Sequence, residues 1–178
     1  MDCPYCKEKD IENDAKYCTS CGEDLKYRNI GGWLILIGIG IWLSPIIMIF
    51  QLITGYADLF KDGVWDALTT KGSQYYIEYY GTTLIMEILI NSLFVSLSFY
   101  LIYLFSTKKL KFKKYYTILA VLSPIFIFGD ALVVKELLYT EELFDKETAK
   151  DFIKSLIGLC IWVPYIWIST RSKKTFIN

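Results

Sequence analysis

Residues 30–53 read IGGWLILIGIGIWLSPIIMIFQLI, and this stretch contains no charged side chain. A helix of this length rises about 36 Å, which is enough to cross a bilayer core of about 30 Å. A soluble helix of comparable length would carry charged residues on its solvent face, and this one has none. The stretch therefore predicts a transmembrane helix.

Three more apolar runs of similar length follow, at residues 82–105, 115–138 and 152–169. Hydrophobic residues make up 54% of the chain and aromatic residues 17%, and they are concentrated in these blocks. The sequence therefore predicts an all-α membrane protein: a bundle of four transmembrane helices, over residues 30–178, in a lipid bilayer. No secretory signal peptide is expected, because the residues before 30 are polar and contain cysteines.

The charges between the runs predict the orientation. The connection between the second and third runs, TKKLKFKK at 107–114, holds five lysines and no acid, and Arg171, Lys173 and Lys174 follow the fourth run. Lys26 and Arg28 precede the first run, whereas the other two connections are rich in Asp and Glu. Because Lys and Arg flank spans on the cytoplasmic side, both termini are predicted to be cytoplasmic.

The first acidic connection contains ADLFKDGVWDAL, residues 57–68. Its apolar side chains recur at a rough helical spacing, which predicts a short helix on the outer surface of the membrane or of the bundle.

Four cysteines near the N-terminus follow the pattern C-x2-C-x11-C-x2-C, at Cys3, Cys6, Cys18 and Cys21. Two such knuckles present four thiolates to one metal ion, and Zn²⁺ favours that tetrahedral set. The sequence predicts a structural zinc ribbon at residues 1–25 in the cytosol, joined by a linker at 26–29. Iron in a rubredoxin-like site is the alternative, and disulfides are disfavoured where thiols stay reduced.

The sequence also predicts the backbone conformation of Gly22 and the burial of Cys160. Gly22, after the last ligand, is expected to adopt a positive φ, and Cys160 is expected to be a buried packing residue in the fourth span.

Charge argues against nucleic-acid binding by the ribbon. Residues 1–29 contain five basic and seven acidic residues, and a four-thiolate zinc site adds a net charge of about −2. Phosphate recognition needs a positive surface. A protein partner is the more suitable ligand for this module.

Polar residues within the apolar runs predict an intramembrane site. Glu87 and Asn91 lie one turn apart in the second run, and Asp130 lies at a similar predicted depth in the third. They could lock the helices together by hydrogen bonds, bind a proton or cation, or hold a polar ligand or lipid head group. Lys135 or Lys154 could reach one of the acids by snorkelling.

The pattern resembles a bacterial membrane-protein family called domain of unknown function 2569, which often has an N-terminal zinc ribbon. The matching residues are Gly31-Gly32-Trp33-Leu34, Ser44-Pro45, Glu87 with Asn91, Asp130, and the closing stretch WVPYIWISTRSKKTF at 162–176. At Ser172 the family tends to have an apolar residue. The resemblance implies a four-span bacterial inner-membrane protein of unassigned activity.

The resemblance also draws attention to a tail cluster of Ser169, Arg171, Lys173 and Thr175, which could meet lipid phosphates or a protein partner. A plain positive-inside anchor explains these residues equally well. The sequence contains no nucleophile–base pair and no phosphate-binding loop, so an enzyme is the least favoured class.

The prediction is a non-enzymatic accessory, sensing or docking protein that meets its partner through the ribbon or the tail. The alternative is a small transporter, or an ion-conducting homo-oligomer, that uses Glu87 and Asp130.

Overall fold

The computed structural model describes residues 3, 6, 11, 15–22, 29–61, 63–138 and 142–177. Most of the predicted linker at 26–29 lies outside these residues, as do Lys26 and Arg28. The described residues form six α-helices. In chain order they are α1 Trp33–Ala57, α2 Val64–Thr69, α3 Tyr80–Ser106, α4 Lys111–Leu138, α5 Lys146–Ile168 and α6 Thr170–Thr175.

Four of these helices, α1, α3, α4 and α5, are long and apolar enough to cross a membrane. Their outward faces carry many exposed large apolar side chains, among them Trp42, Phe50 and Ile125. Such a continuous apolar exterior is typical of lipid contact rather than of contact with water. The predicted class, an all-α membrane protein with a four-helix bundle, is confirmed.

Two helix ends differ from the predicted span limits for local reasons. Helix α1 continues past Ile53 to Ala57, so that Tyr56 belongs to the helix. Helix α5 begins at Lys146, before the apolar run, because the Asp145 carboxylate accepts a hydrogen bond of 2.7 Å from the backbone N–H of Thr148. This N-cap satisfies a donor that the first turn leaves without a partner.

The helices pack in the order α1, α3, α4, α5, and α6 folds back on α5. Three segments meet at one end of the bundle. Lys108, in the turn between α3 and α4, donates to the Asn29 side chain at 3.5 Å, and Arg171 of α6 lies against Gly31 and Gly32. We call this the basic end: the start of α1, the α3–α4 turn and α6. The four long helices therefore alternate in direction.

The best-buried core lies toward the basic end. Phe112 and Phe176 are fully buried and stack with their ring centroids 4.5 Å apart, and Phe105 packs against both. Leu34 of α1 and Ile166 of α5 are fully buried in the same cluster. The closing residues of the chain thus contribute to the core that joins the helices.

The predicted short helix is α2, although it is confined to Val64–Thr69. Phe60 stacks on Trp65 with ring centroids 5.3 Å apart, and Trp65 lies against α3 at Gly81. The aromatic residues of this connection therefore hold it against the end of the bundle opposite the basic end.

Candidate functional site

The four N-terminal cysteines come together. Their Sγ atoms all lie within 4.8 Å of one another, with Cys3 and Cys21 3.7 Å apart and Cys6 and Cys18 3.6 Å apart. These separations are too long for a disulfide, whose sulfurs are about 2.05 Å apart. They suit a shared metal ion: four thiolates placed about 2.3 Å from one centre in a tetrahedron lie about 3.8 Å from each other.

The local fold explains how the sulfurs are presented. Cys3 and Cys18 are buried with Ile11 in a small apolar cluster, and Cys6 and Cys21 are exposed. Gly22 has φ +71°, as predicted, and its N–H donates to the Cys18 carbonyl at 2.9 Å. This turn follows Cys21, whose Sγ lies 3.7 Å from that of Cys3. The cluster can hold one metal ion with all four ligands supplied by protein.

The intramembrane polar residues surround a second candidate site. The Tyr56 hydroxyl donates to Glu87 Oε1 at 2.7 Å, which joins α1 to α3. Asn91, one turn further along α3, has its side chain within reach of the same hydroxyl. Tyr56, Glu87 and Asn91 line a cavity of about 400 Å³ together with Gln51, Met48 and apolar neighbours.

Asp130 lies near this site but is not among the residues that line the cavity. Its charge is close enough to act on both Glu87 and Tyr56, yet among the described residues it makes no hydrogen bond. The prediction that Lys154 reaches Glu87 or Asp130 is wrong, because its ammonium pairs with Asp151 at 2.9 Å. Within the described part of the chain, Lys135 makes no ion pair with either acid. Glu87 is instead held by a tyrosine.

Sequence reasoning missed Tyr56 and Gln51. Gln51 lies two residues before the predicted end of the first span at Ile53, and Tyr56 lies three residues beyond that end. A signal was available: residues 54–57 contain no proline and no charged side chain, so the helix of the first run can continue to Tyr56. Extending α1 by one turn would have placed the Tyr56 hydroxyl near the outer part of α3.

A second cavity, of about 330 Å³, lies among all four long helices. Its lining is mainly apolar, with Phe94, Tyr116 and Trp162, and it includes the hydroxyl-bearing Ser44 and Ser98. Both hydroxyls bond to carbonyls of their own helices. Met48 lines this cavity as well as the polar one, so the two spaces are neighbours along the bundle.

The tail residues do not share one surface. Lys173 is exposed and Arg171 is half-buried against Gly31 and Gly32, whereas Thr175 is buried. Ser172, at the position where an apolar residue was expected, is fully buried, and its hydroxyl donates to the Ile166 carbonyl at 2.6 Å. The predicted cluster is therefore split between packing and surface positions.

The prediction for Cys160 is wrong. Its side chain is exposed on the outside of α5 and does not pack in the bundle. Ile157 and Ile161 beside it are exposed as well, and cysteine is apolar enough to lie on such a face.

The profile of a family described as protein of unknown function (DUF2569) matches residues 27–177. The chain belongs to this family. The predicted resemblance is thereby confirmed, and the match covers every helix of the bundle. No curated protein and no solved structure matches the chain. The cysteine cluster precedes the matched range, so DUF2569 membership describes the bundle and not the metal site.

Proposed function

We propose that this protein is a non-enzymatic accessory subunit of a bacterial inner-membrane complex, with a structural zinc ribbon in the cytosol that docks on a protein partner. The observation that carries the proposal is the closed four-thiolate cluster. A catalytic zinc keeps one position for water or substrate, whereas four cysteine ligands leave none. The metal therefore serves to fold the ribbon and not to activate a substrate.

Zinc is the metal we assign to the cluster. Tetrahedral sulfur sites take zinc or iron, and the sulfur–sulfur distances fit either ion. Zinc has no redox chemistry and is the usual ion of short C-x2-C knuckle pairs. Metal analysis of the purified protein checks this directly: one zinc per chain is expected, and stoichiometric iron would contradict the assignment.

The ribbon surface suits a protein partner with a basic face. Tyr17, beside the buried ligand Cys18, is 62% exposed. Exposed aromatic side chains are frequent anchors at protein interfaces. The acids outnumber the bases over residues 1–29, and the thiolate site adds negative charge. We therefore expect Tyr17 to contact the partner and the net negative charge of the segment to favour a basic partner surface.

A photo-crosslinking side chain at position 17, in intact membranes, tests the docking role. One membrane protein should be crosslinked, and that protein should recover this chain in the reciprocal pull-down. The product should disappear in the double variant Cys3→Ser with Cys6→Ser and persist in Thr19→Ala, an exposed control on the same loop. A product that survives loss of the ribbon would overturn the proposal.

A second function is favoured by the polar cavity. Glu87, its Tyr56 donor and Asn91 line a space within the transmembrane helices, and the charge of Asp130 acts on Glu87. Ionisable groups inside a membrane commonly mark a path for ions or protons. In this reading the protein is a small cation or proton transporter, alone or as a homo-oligomer.

Flux into proteoliposomes that hold a pH-sensitive dye distinguishes the second function from the first. Transport should be abolished by Glu87→Gln and unaffected by Glu136→Gln, a control that removes an exposed acid from the end of α4. Equal flux in wild type and Glu87→Gln, or no flux above empty vesicles, would exclude Glu87 as a coupling group. The docking role would be untouched by that result.

A further inference from the structure

The polar cavity of about 400 Å³ and the apolar cavity of about 330 Å³ adjoin along α1. Met48 lines both of them, Tyr56 lines the polar cavity and Gly40 lines the apolar one. Gly40 and Tyr56 each lie eight residues from Met48, which is a rise of about 12 Å along a helix. The two cavities together thus extend over about 24 Å of α1, and one elongated molecule has room to occupy both.

The polar cavity suits a cation. Glu87 lines it, and the lining residues include no lysine or arginine. The Glu87 Oε1 accepts from the Tyr56 hydroxyl at 2.7 Å, whereas no hydrogen bond to Oε2 is present in the described part of the chain. Because every buried side-chain oxygen there has a partner, Oε2 is accessible from the outside of the protein. An accessible carboxylate among transmembrane helices attracts a cation.

The size and the chemistry of the lining favour an organic ammonium ion over a metal ion or a proton. A Ca²⁺ ion takes about six to eight oxygen ligands, whereas apart from Glu87 and Tyr56 this cavity offers only the amides of Gln51 and Asn91. A proton needs no such space, and small-molecule pockets begin at about 300 Å³. A primary ammonium group donates up to about three hydrogen bonds, and Glu87, Gln51 and Asn91 each carry a side-chain oxygen.

The apolar cavity suits the body of such a molecule. Phe94, Leu101 and Trp162 line it, and none of its lining residues is charged. At Gly40 an added Cβ would meet no atom within 4 Å, so the space reaches the backbone of α1. A phospholipid is disfavoured as the occupant, because its phosphate needs a basic partner and neither cavity is lined by lysine or arginine.

We propose that the two cavities form one binding site for an amphiphilic primary amine, whose ammonium group pairs with Glu87 and whose alkyl chain lies past Met48 in the apolar cavity. The acidic connection favours entry of a cation, since residues 58–78 hold four acids and two lysines, and Leu59 of this connection lines the polar cavity. The proposal names the ligand class of the second proposed function, and it rests on that function for its physiological meaning.

Native mass spectrometry of the full chain in detergent tests the ammonium end of the site, with dodecylamine as the probe. One dodecylamine per chain should be retained. Glu87→Gln keeps an acceptor for Tyr56 but removes the charge, and it should bind the amine at least about tenfold more weakly. Glu136→Gln, which changes an exposed acid on α4, should bind it as the wild type does. Dodecyltrimethylammonium has the same chain without an N–H donor and should bind more weakly than dodecylamine.

Gly40→Leu tests the chain end, because leucine fills the apolar cavity. Dodecylamine should bind about tenfold more weakly, whereas butylamine, which reaches only the polar cavity, should bind unchanged and so show that the variant is folded. Gly129→Leu is the matched control: an added Cβ there also meets no atom within 4 Å, and Gly129 lines neither cavity.

Equal dodecylamine affinity in wild type and Glu87→Gln, or equal loss in the two leucine variants, would overturn the proposal. The same variants separate this site from the transport function. Amine binding that depends on Glu87 without any flux into proteoliposomes supports the site and rejects transport. Flux that depends on Glu87 without amine binding rejects the site and leaves transport standing.

Discussion

Gly32 shows how one residue connects the two ends of the DUF2569 domain. Its φ of +58° and ψ of −140° belong to a backbone region that residues other than glycine rarely adopt. The turn also lets Arg171 approach closely, because a Cβ at Gly31 would collide with its guanidinium group. The glycine pair and the arginine are far apart in sequence and adjacent in the fold.

Replacing Gly32 by alanine should therefore destabilise the bundle by about 1–3 kcal/mol, through backbone strain. The control is Gly40→Ala, since a Cβ there meets no atom within 4 Å and alanine favours a helix by up to about 1 kcal/mol. Unfolding of the two variants in mixed micelles gives the comparison. Equal stability of the two would refute the strain at Gly32.

The pair of Tyr56 and Glu87 is the second feature decided at single residues. Their hydrogen bond of 2.7 Å joins α1 to α3 inside the apolar part of the bundle. Tyr56→Phe should cost about 0.5–2 kcal/mol, which is typical of interhelical hydrogen bonds in membranes.

A double-mutant cycle of Tyr56→Phe and Glu87→Gln tests that contact. The two effects should be non-additive, whereas Tyr56→Phe and Asp130→Asn should be closer to additive, because Asp130 makes no hydrogen bond to this pair. Strong coupling with a clear loss of stability indicates a lock between helices. Raised stability in Glu87→Gln would indicate a charge that is kept for function.

At the scale of elements, α1 tolerates a proline because of the preceding serine. Pro45 has no N–H, so the Ile41 carbonyl four residues earlier loses its helical partner. The Ser44 hydroxyl donates to this carbonyl at 3.3 Å. This gives a physical reason for a serine directly before the helical proline.

Ser44→Ala should cost about 1–2 kcal/mol, because the freed carbonyl then has no donor in a place without water. Ser123→Ala is the matched control. Ser123 also precedes a helical proline, Pro124, but among the described residues its hydroxyl makes no hydrogen bond. Thermal unfolding should separate the two variants, and identical losses would contradict the role of Ser44.

The start of α5 should respond to pH. Hydrogen bonds from the Thr148 side chain and from its backbone N–H hold the pKa of Asp145 below its usual value, since they favour the carboxylate. A group whose pKa is lower in the folded state contributes stability above its unfolded pKa of about 3.9, and this contribution is lost as the pH falls through the folded value.

Unfolding curves between pH 7 and pH 3 measure this contribution. The wild type should lose stability toward the acid end more steeply than Asp145→Asn, because asparagine caps the helix without titrating. Asp145→Ala should be the less stable variant at pH 7. Parallel pH profiles for wild type and Asp145→Asn would show that the cap does not titrate with folding.

At the scale of the whole molecule, we expect the proposed ribbon and the helical bundle to be stabilised by different interactions. The described ribbon core consists of Cys3, Ile11 and Cys18, with Ala15 packed against them. In the proposed function the ribbon depends on its metal, because segments below about 40 residues usually need a metal or disulfides to fold. The bundle, in contrast, is stabilised by its packed helices and by the lipid around them.

Removal of the metal should therefore unfold the ribbon and leave the bundle intact. Treatment with a zinc chelator is expected to make the N-terminal segment sensitive to protease, with the helical circular-dichroism signal nearly unchanged. Cys18→Ser should reproduce this result without chelator. A ribbon that resists protease after metal removal would show that it folds without the ion.

The sequence alone determined the four long helices and the cysteine cluster, because both depend on local patterns. A run of some twenty apolar residues has few alternatives to a transmembrane helix, and two C-x2-C knuckles bring four thiolates together whatever surrounds them. Glu87, Asn91 and Asp130 could also be identified, since ionisable groups are conspicuous in an apolar run.

Only the tertiary structure decided which residues meet. Tyr56 bonded to Glu87, and Arg171 against Gly31 and Gly32, both join positions far apart in the chain. Periodicity cannot provide such contacts, because they depend on how neighbouring helices rotate and how the tail folds back. The buried Ser172 and Thr175 illustrate the same limit: their polarity suggests a surface, and packing places them in the core.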